Sequence, residues 1–138
     1  MKAEELRIGN LIVSEDDYII SVNEIYNHTQ IKVTERWVSG SAIYRDYACN
    51  YPIYTYQPII LTEEWLKKFG FKIPGGGISY DKGKLSIYIG DTILSGKDGR
   101  TYFNSWAILE HSPKYVHELQ NLYYALTKEE LVLAVNPL

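Results

Sequence analysis

The sequence predicts a single α+β domain over residues 1–138, in which a strongly bent antiparallel sheet packs against two helices and a short C-terminal helix follows. Three observations support this fold class. Apolar and polar residues alternate over residues 18–37, as they do in half-buried strands. Residues 62–70 combine the start and stop signals of a helix. Apolar residues then recur at helical spacing between Tyr115 and Leu126.

The predicted strands of the first half follow one another through tight turns. Residues 6–13, 18–26 and 31–37 each favour a strand, and three such strands in succession are typical of an antiparallel meander. The opening LRIGNLIV resembles the first strand of small SH3-like barrels, so the bent sheet could be an incomplete barrel of this kind. A fourth strand is expected to end near Ala48, because the prolines beyond it cannot donate ladder hydrogen bonds.

The middle of the chain predicts a helix and two hairpins. Thr62 is the expected N-cap, ahead of two glutamates that favour the positive end of the helix dipole. Gly70 supplies the C′ position, after which Phe71 is expected to fold back on the helix. Residues 78–89 and 93–109 then each predict a β-hairpin, the first with a turn near its middle.

The C-terminal helix is the clearest element in the sequence. Ser112 is the expected N-cap and Pro113 the first helical residue. Thr127 opens a capping-box pattern that predicts a short last helix through Leu133. Five large apolar residues are expected in the core: Trp37, Trp65, Trp106, Leu119 and Leu122.

Composition is that of a globular protein from a reducing compartment. Cys49 is the only cysteine, so no internal disulfide can form, and no leader or membrane span is apparent. We therefore expect a cytoplasmic protein that has no membrane partner. The net charge of −3 disfavours non-specific nucleic-acid binding. Residues 67–100, however, hold seven basic and three acidic residues, a local charge of +4.

No arrangement of residues matches a known catalytic or cofactor motif. His117 begins a segment like the helix of zinc proteases, but Asn121 stands where the second histidine is required. Lys97 follows a glycine as in phosphate-binding loops, but the rest of that motif is missing. We expect no cofactor and no metal, and an enzyme with an unrecognised site stays as an alternative.

Tyrosine is unusually frequent, with 13 of 138 residues. Its rigid ring and polar tip suit interfaces, and arginine is enriched there too. A tyrosine-rich stretch with nearby arginines could bind a protein or stack on nucleic-acid bases. The alternative is that the rings cover the sheet and close the core. The candidate residues, called the tyrosine segment below, are Arg36, Tyr44, Arg45, Tyr47, Tyr51, Tyr54 and Tyr56.

A second candidate is a polar stripe on the C-terminal helix. Its members are spaced i, i+3, i+4 and i+7, so they lie on one face and could hydrogen-bond a partner. The alternative is an ordinary solvated face. The polar stripe consists of His117, Gln120, Asn121 and Tyr124.

The most distinctive stretches are ELRIGNLIV at residues 5–13, PIILTEEWLKKFGF at 58–71 and YVHELQNLYYALTKEEL at 115–131. Together they resemble a widespread family of small uncharacterised proteins from Bacteroidetes genomes, many of them in prophages and mobile elements. The chain departs from the family pattern at Ile60, where proline is usual, and at Lys128, where glycine is usual. The resemblance implies a bacterial or phage setting and no particular activity.

These observations favour a non-enzymatic interaction module of a phage or mobile element that binds a protein partner or itself. A nucleic-acid-binding accessory protein is the main alternative. It would need the basic residues of the middle region to share a face with exposed tyrosines.

One substitution distinguishes the two interpretations of the tyrosine segment. If its rings close the core, Tyr51→Ala should lower the melting temperature measured by circular dichroism, because a large buried ring is lost. A variant as stable as the parent would instead assign Tyr51 to the surface.

Overall fold

The computed structural model describes residues 1–15, 19–27, 30–36, 44–52, 55–73, 79–87, 101–103, 107–108 and 112–133. Within them the chain forms two antiparallel sheets and two α-helices, which confirms the α+β class. The elements in chain order are a 3₁₀ helix at Ala3–Glu5, β1 at Leu11–Ser14, β2 at Ile19–Asn27, β3 at Gln30–Arg36, β4 at Tyr44–Pro52, β5 at Tyr56–Gln57, α1 at Glu63–Lys68, β6 at Tyr80–Lys82, β7 at Leu85–Ile87, β8 at Thr101–Phe103, β9 at Ala107–Ile108 and α2 at Val116–Thr127.

The first sheet contains the predicted meander. Strands β1 to β4 pair antiparallel in sequence order, and β5 pairs with the other side of β1, giving the order β4-β3-β2-β1-β5. Ile20, Val22 and Ile31 are fully buried on one side of this sheet. Among the described strands β4 and β5 do not pair, so the sheet is not closed and an SH3-like barrel is not shown.

Strand β1 begins later than the sequence predicts because residues 7–10 form a turn. The Asn10 amide donates to the Arg7 carbonyl at 3.1 Å, and the Arg7 amide donates to Asn10 Oδ1 at 2.7 Å. Gly9 has a φ of +91°, which suits a residue without a Cβ. Strand β4 in turn ends later than predicted, at Pro52. Proline is tolerated there because β4 lies at the edge of the sheet.

The second sheet has the order β6-β7-β8-β9, with every pair antiparallel. A two-residue turn joins β6 to β7, and Gly83 takes its first position with a φ of +58°. The segment predicted as a single strand over residues 101–109 contains two short strands, β8 and β9, which pair with each other.

Helix α1 has the predicted ends. Thr62 is the N-cap residue, although its side chain makes no capping hydrogen bond. Gly70 has a φ of +82°, and its amide donates to Lys67 at 2.9 Å. The Phe71 amide reaches back to the Leu66 carbonyl at 2.9 Å, which completes a Schellman motif and returns the buried Phe71 ring to the helix.

Helix α2 begins three residues later than predicted, because the chain before it pairs with the chain before α1. The Leu61 amide donates to the Lys114 carbonyl and the Val116 amide to the Ile59 carbonyl, each at 2.9 Å. Residues 112–114 are therefore not helical, and the extended Tyr115 is the N-cap.

The short last helix predicted over residues 127–133 is not formed. Thr127 is the final residue of α2, and its hydroxyl donates to the Tyr123 carbonyl at 2.8 Å. Lys128 follows in the left-handed region, with a φ of +63°, and its amide closes the last turn on Tyr124. Residues 128–133 then continue without helical structure.

One core cluster joins both sheets to both helices. It combines Leu11 of β1, Phe69 beside α1, Leu85 of β7 and Leu119 of α2, among others. The prediction of a core position is confirmed for Trp65 and Leu119, and Leu122 packs partly buried against the same cluster. Two predicted core residues, Trp37 and Trp106, lie outside the described residues.

The position of Leu119 predicts a large cost of truncation. Leu119→Ala should lower the free energy of unfolding by about 2–5 kcal/mol, measured by urea denaturation, because it leaves a cavity in this cluster. Ile60→Ala is the matched control, since Ile60 is 68% exposed, and should change stability by less than about 0.5 kcal/mol. Equal losses in the two variants would contradict this placement of the core.

Candidate functional site

The described residues of the tyrosine segment are divided among β3, β4 and β5 of the first sheet. Tyr44, Tyr47 and Tyr51 lie on β4, as does Arg45, and Tyr44 is the register partner of Arg36 at the end of β3. Tyr56 lies on β5 at the opposite edge, is 4% exposed and belongs to the core. Tyr54 lies outside the described residues. The segment is thus divided, and only its first part follows the β4 edge.

The polar stripe on α2 is largely covered by the chain itself. His117 and Gln120 are buried, and Asn121 and Tyr124 are half-buried. The stripe faces residues 1–10, here called the N-terminal segment. The expectation of an ordinary solvated face therefore does not hold for its two buried members.

Gln120 makes two hydrogen bonds at the base of this contact. Its Oε1 accepts from the Leu11 amide at 2.8 Å, and its Nε2 donates to the Gly9 carbonyl at 3.1 Å. Both ends of the amide are thus paired with backbone groups at the entry to β1. A buried amide without these partners would be costly, so the two bonds fix α2 against the first strand.

Asn121 extends the contact toward the start of the chain. Its Nδ2 donates to the Glu5 carbonyl at 2.7 Å, and its Oδ1 accepts from Asn10 Nδ2 at 3.0 Å. Asn10 is itself buried, and its other side-chain atom holds the turn at Arg7. The side-chain amides of Gln120 and Asn121 therefore form their hydrogen bonds within the chain itself and not with a partner molecule.

Arg7 contacts α2 and the chain beyond it. Its guanidinium lies 3.7 Å from the centroid of the Tyr124 ring, and its Nη2 forms an ion pair with Glu130 at 2.8 Å. Both members of the ion pair are partly exposed, so solvent screening keeps its contribution small. Tyr124, the fourth member of the polar stripe, therefore also contacts the N-terminal segment.

His117, the first member of the stripe, differs from the other three. It is 1% exposed, and neither ring nitrogen has a hydrogen-bond partner among the described residues. Its ring stacks on that of Tyr115, with centroids 5.8 Å apart. Burial lowers the pKa of His117 below its ordinary value, although Glu118 and Glu5 act in the opposite direction.

An open groove of about 630 Å³ lies beside the N-terminal segment. Its floor includes the buried Leu6 and Leu131, and the Arg7–Glu130 ion pair borders it. Grouped exposed aliphatic side chains are a feature of interaction surfaces. The exposed aliphatic residues that line this groove are Ile8, Ile25 and Val132.

The basic residues of the middle region are partly used within the fold. Lys82 Nζ donates to the Phe69 carbonyl, and burial lowers the pKa of this amine while Glu129 opposes the shift. Lys68 Nζ lies 4.6 Å from the centroid of the Trp65 ring. Lys97 and Arg100 fall outside the described residues. These contacts provide no support for a nucleic-acid surface.

The pKa shifts within the described part of the chain have a common main cause. Burial accounts for the largest part of each resolved pKa shift, including the raised pKa values of Tyr80 and Tyr123. Over the same residues, no three histidine, cysteine or carboxylate side chains are grouped to hold a metal ion. The described helices are all too short or too polar to span a bilayer.

Comparison with known proteins adds no family assignment. No protein-family model, no curated protein and no solved structure matches the chain. The site is therefore described by its own geometry.

That geometry makes a direct prediction for Gln120. Gln120→Ala should lower the free energy of unfolding by about 1–3 kcal/mol, because it leaves the buried Leu11 amide and the partly buried Gly9 carbonyl without their partner. Urea denaturation measures the change. Lys67→Ala, at an exposed position of α1, is the control and should stay within about 0.5 kcal/mol of the parent. Equal stability of the parent and Gln120→Ala would contradict the bridging role.

Proposed function

We propose that the protein is a non-enzymatic interaction module that binds a protein partner, or a second copy of itself, along the edge of β4 that faces away from β3. The position of β4 carries this proposal. It is a nine-residue strand at the end of the five-stranded sheet, and β3 is its one neighbour among the described strands. Such an edge offers a row of backbone donors and acceptors that a strand of another chain can pair with.

The register indicates which backbone groups of β4 point away from β3. Pro52 pairs with Gln30 but has no N–H, so this pair is a non-hydrogen-bonded one, and the next pair, at Tyr51, exchanges hydrogen bonds. The register is unbroken along this part of β4. Alternation therefore directs the amides of Asn50 and Ala48 toward the open side.

The residue types on β4 support the same interpretation. Tyr44, Arg45, Tyr47 and Tyr51 all belong to this strand, and tyrosine and arginine are the residues most enriched where proteins bind one another. In strand addition the backbone supplies affinity while side chains supply specificity. The resemblance to prophage-associated proteins makes a phage or mobile element the proposed setting.

The proposal predicts that removing one outward amide weakens binding. Asn50→Pro deletes the amide of Asn50 without touching a bond to β3, whereas Asn50→Ala keeps that amide and serves as the matched control. The tagged protein is used to capture partners from a lysate of its bacterial host, with and without nuclease. Light scattering of the purified protein measures self-association.

We expect a defined protein partner that survives nuclease, or a dimer, and at least about tenfold weaker binding for Asn50→Pro only. The circular dichroism spectrum should be the same for both variants. A partner retained only without nuclease would instead favour the nucleic-acid role. Equal binding by both variants would exclude the β4 edge, and no partner in either assay would favour an enzyme with an unrecognised site.

A further inference from the structure

His117 is a buried ionisable group that the fold leaves without a hydrogen bond. Nearly all buried polar side chains have a partner, so an exception calls for an explanation. The ring is 1% exposed and stacks on Tyr115, and in its neutral form it carries one N–H donor and one acceptor nitrogen. Once protonated, the ring has two N–H donors that need acceptors or water.

Three charged groups face His117 from the elements packed around it. They are Glu118 on α2, Glu5 on the 3₁₀ helix and the amino group of Met1. The two carboxylates favour the protonated ring, and the amino group disfavours it. Burial opposes protonation more strongly than the carboxylates promote it.

Both carboxylates already accept backbone amides through one oxygen. Glu118 Oε2 accepts from the amides of Lys114 and Tyr115, at 2.7 and 3.2 Å, and forms the capping contact of α2. Glu5 Oε2 accepts from the Lys2 amide at 3.2 Å. Neither carboxylate is bonded to the His117 ring. While the N-terminal segment is in place, neither ring nitrogen has an acceptor within hydrogen-bond distance among the described residues.

We propose that His117 is a proton-sensitive latch that holds the N-terminal segment on α2 while the ring is neutral and releases it when the ring is protonated. The segment contacts α2 through Gln120, Asn121 and Tyr124. Its Ala3 and Leu6 are buried in a second apolar cluster with the first sheet, whereas the opposite face of α2 packs in the main core through Leu119. Lifting the segment would open the second cluster and hydrate the ring without opening the main core.

The direction of the pH effect follows from proton linkage. In the open state, with the N-terminal segment released, the hydrated His117 ring has the ordinary histidine pKa of about 6.5. In the docked state, with the segment in place, the buried ring binds a proton less readily. Release is therefore suppressed above about pH 6.5 and grows as the pH falls, by at most about tenfold per pH unit. The increase stops once the pH is below the pKa of the docked state.

Amide hydrogen exchange resolved by NMR tests the latch in the full chain. Protection of the Gly9 amide, which lies in the segment and donates to the Val22 carbonyl at 2.7 Å, is compared between pH 7.5 and 5.5 after correction for intrinsic rates. We expect it to fall several-fold, while the Phe71 amide in the α1 motif keeps its protection. His117→Phe should abolish the fall at Gly9.

Replacing the other two histidines provides the control. The double variant His28→Gln, His111→Gln should retain the response of the parent, because His117 is then the one histidine left. The proposal is wrong if His117→Phe still responds, or if Gly9 and Phe71 lose protection together. The ring of His117 is also followed by NMR in the parent, where a titration midpoint at or above about 6.5 would overturn the latch.

Discussion

The side chain of Gln120 is the constraint on which the arrangement of the first sheet depends. It is 4% exposed and bonds to the Leu11 amide and the Gly9 carbonyl, so it ties α2 to the turn that precedes β1. Leu11 also belongs to the core cluster that joins both sheets and both helices. Because β1 is the strand nearest α2, the meander is positioned through it, out to the edge strand β4. A buried amide that bonds to backbone therefore links the helix to the sheet.

The contact between α2 and the N-terminal segment shows which candidate surface is used within the chain. Asn121 and Tyr124 are occupied by the N-terminal segment, so most of the polar stripe has its partner within the chain. Among the described strands only β3 pairs with β4, which is why we propose the other edge of β4 for the external interaction. His117 lies on the same buried face, and neither of its ring nitrogens has a hydrogen-bond partner among the described residues.

The sequence predicted correctly those elements that depend on residues close together in the chain. The alternation over residues 18–37 was enough for the meander, and Gly70 with Phe71 was enough for the end of α1. The predicted boundaries of α2 were wrong because contacts with distant residues and the local backbone conformation decide them. Pairing of residues 59–61 with 114–116 delays the start of α2, and the left-handed Lys128 ends it where a capping pattern had suggested a further helix.

The candidate site was the least predictable part for the same reason. Polar residues at helical spacing look like a solvated face unless the covering segment is known, and that segment lies more than 100 residues away in sequence. The one available signal was the turn at Gly9 and Asn10, which interrupts the predicted first strand. The position of β4 at the sheet edge likewise depends on how the whole meander pairs.

A double-mutant cycle between Asn10 and Asn121 tests most directly whether the stripe serves the chain's own N-terminal segment. The free energy of unfolding is measured for the parent, Asn10→Ala, Asn121→Ala and the double variant. A coupling energy of about 0.5–3 kcal/mol is expected, because the two side chains share the 3.0 Å hydrogen bond. Losses that simply add would contradict the contact and, with it, the internal role of the polar stripe.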